Sequence, residues 1–236
     1  MTSPSLPTCC SPLSDHWPLP HTHSSVHLIS THFDKTRLQS DDFVRCGVPM
    51  INALAKRQAE FLAGRICARQ ALERLTGAGS VPASGEDRAP QWPEGTVGSI
   101  THSGDYAAAI VGSLQNWRGL GLDAESLIPE QRAQRLAGEI LTPTELDRLG
   151  PLNSAEQALR ITLTFSAKES LFKALYPQVL KRFWFHDAEL LSVTPDQHFT
   201  LRLLIDLDGS WTTGSVVTGQ FCMFDDYLLT LIAIPR

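Results

Sequence analysis

No apolar run in the 236-residue chain reaches the roughly 18–20 residues that a helical membrane span needs. The amino terminus, "MTSPSLPTCCSPLSDHWPLPHTHSS", lacks the basic start and the apolar stretch of a secretory signal. Cysteines number only 5 and are scattered apart from Cys9-Cys10, which argues against a disulfide framework and for reduced thiols in a cytoplasmic protein. Positive charge is not in excess: the net charge of −5 excludes a strongly basic nucleic-acid binder. Gly-x-x-x-x-Gly-Lys-(Ser/Thr) is missing too, which disfavours a nucleotide enzyme built on that phosphate loop. What remains, 42% hydrophobic and 19% charged residues, is ordinary for a soluble globular protein of one large domain or two small ones.

Residues 1–25 are rich in Pro, Ser, Thr and His and read as a flexible arm. The histidines in and just after it, His16, His21, His23, His27 and His32, read as solvated rather than as a metal site. "VHLIS" (26–30) reads as a first strand. A long helix is expected from Pro49 to about Leu75, with Gly77 as its stop. After a Gly/Pro/Ser-rich loop, "TVGSI" and "YAAAIV" read as two short strands joined by a Thr-His-Ser-Gly turn. Next come the strand "GLGLDAE", a short helix over 129–141 and a second one from Pro143. A second long helix is expected from Ser154 to Tyr176, stopped by Pro177. Four strands follow, at 187–193, 199–206, 214–224 and 227–234. "FLAGRICARQAL" and "FSAKESLFKAL" echo one another, each followed later by an Asp-Tyr opening a strand. If the echo is real, the chain is two similar αβ halves with a boundary near 112–119, and Arg65 and Glu169 hold equivalent positions.

Four stretches carry chemistry. Asp123 and Glu125 are two apart on a strand, so they project to one face. They are either solvated acids at a strand end or a pair awaiting a cation. Glu169 falls near Phe165 and Phe172 on its helix, with Lys168 beside it and Lys173 one turn on. Aromatic neighbours raise a carboxyl pKa and a cation lowers it, which can tune a general base; the plainer reading is a Glu169–Lys173 surface pair. Thr101 and His102 lie in a turn whose hydroxyls, imidazole and N–H groups suit a phosphate. The first long helix carries a net +3, and Arg57, Arg65 and Arg69 share roughly one face, either solvated or gripping an anion.

Taken in order, "GRICARQAL" (64–72), "WPEGTVGSITHSGDY" (92–106), "GLDAE" (121–125) and "FSAKESLFKALYP" (165–177) resemble the motifs of the 4′-phosphopantetheinyl transferases, in the branch typified by the enterobactin-synthesis transferase. The resemblance implies an α+β fold of two pseudo-twofold-related αβ halves with the active site between them. The expected division is an arm at 1–25, an N-terminal half at 26–117 and a C-terminal half at 118–236. It implies transfer of the phosphopantetheine arm of coenzyme A to a serine of an apo acyl carrier protein or a peptidyl or aryl carrier domain, releasing 3′,5′-ADP. The implied cofactor is Mg2+, with Mn2+ able to substitute, held by Asp123, Glu125 and Glu169. Glu169 would be the base and Lys173 would neutralise phosphate charge. Coenzyme A would contact Arg57, Arg65, Arg88, Thr101, His102, Asp123, Lys168 and Lys173. Siderophore or fatty-acid biosynthesis, a cytoplasmic location and a monomer follow as expectations, and the +3 helix is one docking face open to an acidic carrier. Phe165 stands where many relatives have Trp, and Ala124 leaves room for a water in the metal shell. Beside the nucleotide enzyme, the second rival is a coenzyme A- or carrier-binding protein without chemistry, which should have lost one of these acids or lysines.

Overall fold

The computed structural model describes residues 6–236, so the first five residues of the expected arm lie outside the described residues. Two compact units emerge, one of residues 6–17, 23–117 and 236, the other of Pro18–Thr22 and Arg118–Pro235. Each mixes helices with an antiparallel sheet, so the fold class is α+β. No helix among the described residues is long and apolar enough to cross a membrane.

In the first unit, β1 (Val26–His32) leads through the short helix α1 (Asp42–Cys46) to α2 (Ala55–Thr76). The two-residue strands β2 (Ala83–Ser84) and β3 (Pro90–Gln91) pair with each other. β4 (Thr96–Ser103) and β5 (Tyr106–Ser113) form a hairpin in a sheet ordered β1-β5-β4. α2 starts six residues later than Pro49 and ends at Gly77, which caps it in the left-handed conformation. Its core face is built of small residues, Ala59, Ala63, Gly64, Ala68 and Ala71, which lets it lie close on the sheet. The expected Thr-His-Ser-Gly turn is a correction: β4 runs on through Ser103, with Thr101 paired to Ala108 and His102 to Ala107, so the hairpin turns at Gly104-Asp105. Residues 6–17, expected as part of the flexible arm, are tied to β1, an edge strand with unpaired backbone groups to offer. Ser11 N donates to His32 O at 2.8 Å, and Ser14 and Ser30 exchange both backbone bonds at 2.9 Å.

In the second unit, β6 (Trp117–Ser126) is followed by α3 (Glu130–Ile140), α4 (Pro143–Asp147) and α5 (Ser154–Val179). Strands β7 (Ala188–Val193), β8 (His198–Leu203), β9 (Val216–Phe224) and β10 (Tyr227–Pro235) complete a sheet ordered β6-β10-β9-β8-β7. Asn153 caps α5 with a reciprocal bond to Glu156. Pro177 does not stop the helix; it sits in the last turn, and α5 ends at Val179, capped by Leu180, whose N donates to Tyr176 O at 2.8 Å. One lost amide bond is tolerated because the turn beyond it still closes.

The glycines of "GLGLDAE" set the position of α5. A methyl carbon on Gly121 would fall 1.8 Å from Ser170 O, and one on Gly119 would fall 2.3 Å from Ala174 O. The helix therefore rests directly on the β6 backbone. Alternation puts Asp123 and Glu125 on the same face as these glycines, beneath the same helix.

Candidate active site

The close approach of α5 to β6 brings a set of polar side chains onto a buried carboxylate. Asp123 is 3% exposed. Lys173 Nζ donates to its Oδ1 at 2.6 Å and to Leu122 O at 3.1 Å. Ser166 Oγ donates to its Oδ2 at 2.7 Å. Behind Ser166, the hydroxyls of Thr230 and Ser170 continue the chain at 2.8 and 2.7 Å, and Ser170 Oγ also donates to Thr230 O. Glu169 lies on the same helix, half-buried. Burial pushes its pKa up, the Asp123 charge pushes the same way, and the Lys173 ammonium opposes both. Beside Glu169 is a recess of about 180 Å3 lined by Phe172, Phe183, Trp184 and Phe185. Phe172 stacks on Tyr176 with ring centres 5.0 Å apart.

Lys168 is not brought into this cluster. It is 3% exposed, and its Nζ donates to Ile140 O at 2.9 Å and to Glu145 Oε2 at 2.7 Å. Burial pushes its pKa down and Glu145 opposes the shift. Glu145 is held in turn by the backbone N–H groups of Thr142 and Leu190. One residue along a helix turns the side chain by about 100°: the Lys168 ammonium reaches α3 and α4, although Lys168 and Glu169 both line the recess beside Phe172.

In the first unit a cavity of about 470 Å3 is lined by Arg57, Arg65, Arg88 and His102, with Glu60 and Phe61. Arg65 Nη2 donates to Ser84 Oγ at 2.8 Å, and its guanidinium lies 4.8 Å from the centre of the Phe61 ring. Its Nε is buried without a hydrogen-bond partner. Burial, reinforced by the Arg57 charge, pushes the Arg65 pKa down to about 10. A buried guanidinium with an unused donor is a site that an anion would complete. Arg57 contacts His102, and Arg88 is exposed in the loop before β3, at a positive φ of 70°. Thr101 is not brought to this cavity: next to His102 on a strand, it points to the opposite face and is buried. Arg69 is not brought there either, since its Nη1 donates to Cys46 O at 2.6 Å. Of the remaining cations of α2, Lys56 pairs with Glu60 at 3.8 Å and Arg74 with Asp15 at 3.2 Å.

Residues 49–112 match the model of the 4'-phosphopantetheinyl transferase N-terminal domain, and residues 119–232 match that of the 4'-phosphopantetheinyl transferase superfamily. Over 229 residues the chain is 34% identical to enterobactin synthase component D of Salmonella typhimurium, an alignment covering 95% of this chain and 92% of that one. The chain belongs to the 4'-phosphopantetheinyl transferase superfamily. It is also similar to the 4'-phosphopantetheinyl transferase Svp of Streptomyces mobaraensis, 36% identical over 182 residues (71% of this chain, 73% of the relative). The transferase PptT of Mycobacterium tuberculosis is 33% identical over 197 residues, 79% of this chain and 83% of its own.

A phosphopantetheinyl transferase needs somewhere to put an anionic substrate and, by the resemblance above, Mg2+. That ion takes hard oxygen ligands. Asp123, Glu125 and Glu169 are the residues that would supply them, and the Asp123 charge is one of the influences that raise the Glu169 pKa. Among the described residues no three such side chains are gathered as a ready-made cage. The donor chemistry fits, and the positive group on Asp123 in this structure is the Lys173 ammonium. Ser166, Ser170, Thr230, Glu60 and Glu145 were missed by the sequence reading. Ser166, Ser170 and Lys173 recur at four and three residues, a stripe that could have shown the first two. Thr230 carries no local signal, because only the pairing of β10 with its neighbours brings it under α5.

Proposed function

We propose that this transferase moves the 4′-phosphopantetheine group of coenzyme A onto a serine hydroxyl of an apo carrier protein and releases 3′,5′-ADP. The observation that carries the reading is the Asp123–Lys173 pair beside Glu169, a carboxylate with raised basicity next to a cation. In this scheme the serine oxygen attacks the β-phosphorus, the bond from that phosphorus to the bridging oxygen breaks, and 3′,5′-ADP leaves with the electron pair. Glu169 takes the serine proton; a carboxylate of raised pKa is the better base near neutral pH. Lys173 lies against the phosphate oxygens and offsets their charge. Asp123, Glu125 and Glu169 would hold Mg2+, with Mn2+ able to replace it. When bound, the metal supplies charge neutralisation and a template for the pyrophosphate. Positioning and charge offset, more than covalent help, carry phosphoryl transfer.

The cavity lined by Arg57, Arg65, Arg88 and His102 is assigned to the 3′-phosphate end of coenzyme A. The unused Arg65 Nε supports the assignment. Lys168 and Thr101 are assigned supporting places, Lys168 as the post that fixes the α5 segment bearing Glu169. Among carriers, the peptidyl and aryl domains of siderophore assembly are the first choice, because the chain is 34% identical to enterobactin synthase component D over 92% of that protein's length. Acyl carriers of fatty-acid synthesis are second, and a cytoplasmic monomer is assumed for both.

The test is mass spectrometry of apo carrier proteins after incubation with the enzyme, coenzyme A and Mg2+. A mass gain of one phosphopantetheine that disappears with EDTA is the expected result. No gain on any of several peptide, polyketide and fatty-acid carriers, despite measurable coenzyme A binding, would overturn the reading in favour of a binding protein.

A further inference from the structure

A carboxylate stands in a cavity otherwise built for anions. Glu60, on α2 between Arg57 and Arg65, has a side chain only 12% exposed. Its oxygens lie 3.3 Å from Arg57 Nη1, 3.8 Å from Lys56 Nζ and 3.7 Å from His102 Nδ1. Arg57 Nη1 is in turn 2.5 Å from His102 Nε2. A guanidinium has donors and no acceptor at any working pH. Nε2 must therefore be the acceptor, which leaves the imidazole proton on Nδ1, the nitrogen facing Glu60. An imidazole in that tautomer has no donor at Nε2 to give an incoming phosphate, and a fully ionised phosphate can only accept.

We propose that Glu60 is a positioning residue that keeps the Nδ1 proton of His102 on its own side, so that His102 takes up a second proton, at Nε2, when a phosphate enters the cavity. The proton comes from solvent and no covalent bond changes. Arg57 releases the imidazole and donates to the phosphate, and the imidazolium donates beside it. Glu60, 3.7 Å from Nδ1, offsets the new charge electrostatically. The proposal rests on the assignment of this cavity to the 3′-phosphate of coenzyme A.

The surroundings explain why a carboxylate is needed. From α2 His102 faces Lys56, Arg57 and Glu60; Arg65 and Arg88 line the same cavity. On β5 its partner is the neutral Ala107, and Asp105 at the hairpin tip is paired with His32 at 3.4 Å. The cations alone oppose a second proton on His102, since a like charge nearby disfavours the charged form. Among the described residues Glu60 is the one carboxylate lining the cavity, and it offsets part of that repulsion. Affinity for the phosphate is then full below the titration of the ligated imidazole and is lost as pH rises through it.

The experiment is titration calorimetry with coenzyme A and with dephospho-coenzyme A at pH 8, in two buffers of different ionisation enthalpy. The expected result for the wild type is net proton uptake with coenzyme A and none with dephospho-coenzyme A. Glu60→Gln should abolish the uptake and raise KM for coenzyme A about tenfold, the equivalent of one pKa unit. The loss falls on KM more than on kcat and grows with pH, and Glu60→Asp, which keeps the charge, recovers part of it. Equal uptake in wild type and Glu60→Gln would overturn the role of Glu60 while leaving the cavity assignment standing. No uptake by the wild type, with coenzyme A still preferred, would overturn it without needing any variant. Indifference of the wild type to the 3′-phosphate would overturn the cavity assignment and the proposal together.

Discussion

Asp123 and Lys173, 50 residues apart in the chain, meet at 2.6 Å where α5 lies on β6. The glycines at 119 and 121 make that meeting possible, because nothing larger would let the helix backbone down onto the strand. A buried carboxylate is costly unless its oxygens are bonded. Asp123 has Lys173 on one oxygen and Ser166 on the other.

Replacing this group tests the centre directly. Asp123→Asn keeps the shape but removes the charge that Lys173 and the proposed metal share. Turnover should fall by about a hundredfold or more, the scale on which a single electrostatic contact to a reacting phosphate counts. The check is rate against Mg2+ concentration. A rate that saturates at the same Mg2+ level in both proteins would remove Asp123 from the metal site.

Glu169→Gln should separate activity from stability. A carboxyl whose folded pKa is raised above its unfolded value contributes stability that is fully present below the unfolded pKa and is lost as pH rises through the folded one. At neutral pH the ionised Glu169 is therefore a net cost, and Gln removes it. The melting temperature should rise, by about 2–4 °C for each kcal/mol recovered in a chain of this size. Turnover should collapse, and the acid limb of the wild-type pH profile should flatten. A profile that still rises with pH as in the wild type would pass the base assignment to another group.

How far the sequence could be read depended on the period of each element. The shared face of Asp123 and Glu125 followed from alternation on a strand, and the Glu169–Lys173 spacing from the helical turn. The partners of Lys168 could not be read the same way: a helix position names a direction only once its neighbours are known, and these are Ile140 and Glu145 on other elements. Thr101 and His102 were read as one turn, but pairing with β5 extends the strand and sends them to opposite faces. Pro177 was given more stopping power than one lost amide bond has at a helix end. The Lys168–Glu145 pair and the Thr230 hydroxyl depend on tertiary contacts for which one sequence offers no spacing rule.

Gly121→Ala tests the close approach. Its added carbon would overlap Ser170 O at 1.8 Å, a backbone atom that cannot turn aside. The cost should be about 3 kcal/mol, at the upper end for overpacking, with loss of activity as α5 lifts from Asp123. Gly138→Ala is the control. It lies inside α3 with nothing within 4 Å of the new carbon, and should stabilise by about 0.5–1 kcal/mol. Chemical denaturation of both variants decides; equal effects would mean that β6 and α5 are not held by the glycine.

Arg65→Ala should weaken coenzyme A more than dephospho-coenzyme A if the unpaired Nε serves the 3′-phosphate. A charge-assisted bond of this kind contributes about 1.5–3 kcal/mol, or roughly one to two orders of magnitude in affinity. Equal losses for the two ligands would place the guanidinium on some other part of the molecule.

Lys168 offers the sharpest separation of support from substrate contact. Its ammonium is buried against Glu145, so Lys168→Met strands a carboxylate in the interior and should cost about 3–5 kcal/mol. Glu145→Gln added to that variant removes the stranded charge while its amide oxygen still accepts from Leu190 N. The double variant should recover much of the lost stability. Its kinetics then decide what Lys168 does. If KM for coenzyme A returns to the wild-type value with stability, Lys168 acts only by fixing α5, and the ammonium never reaches the substrate. If stability returns while KM stays raised, the pair with Glu145 opens during turnover and Lys168 touches the pyrophosphate, as the Lys-Glu motif first implied.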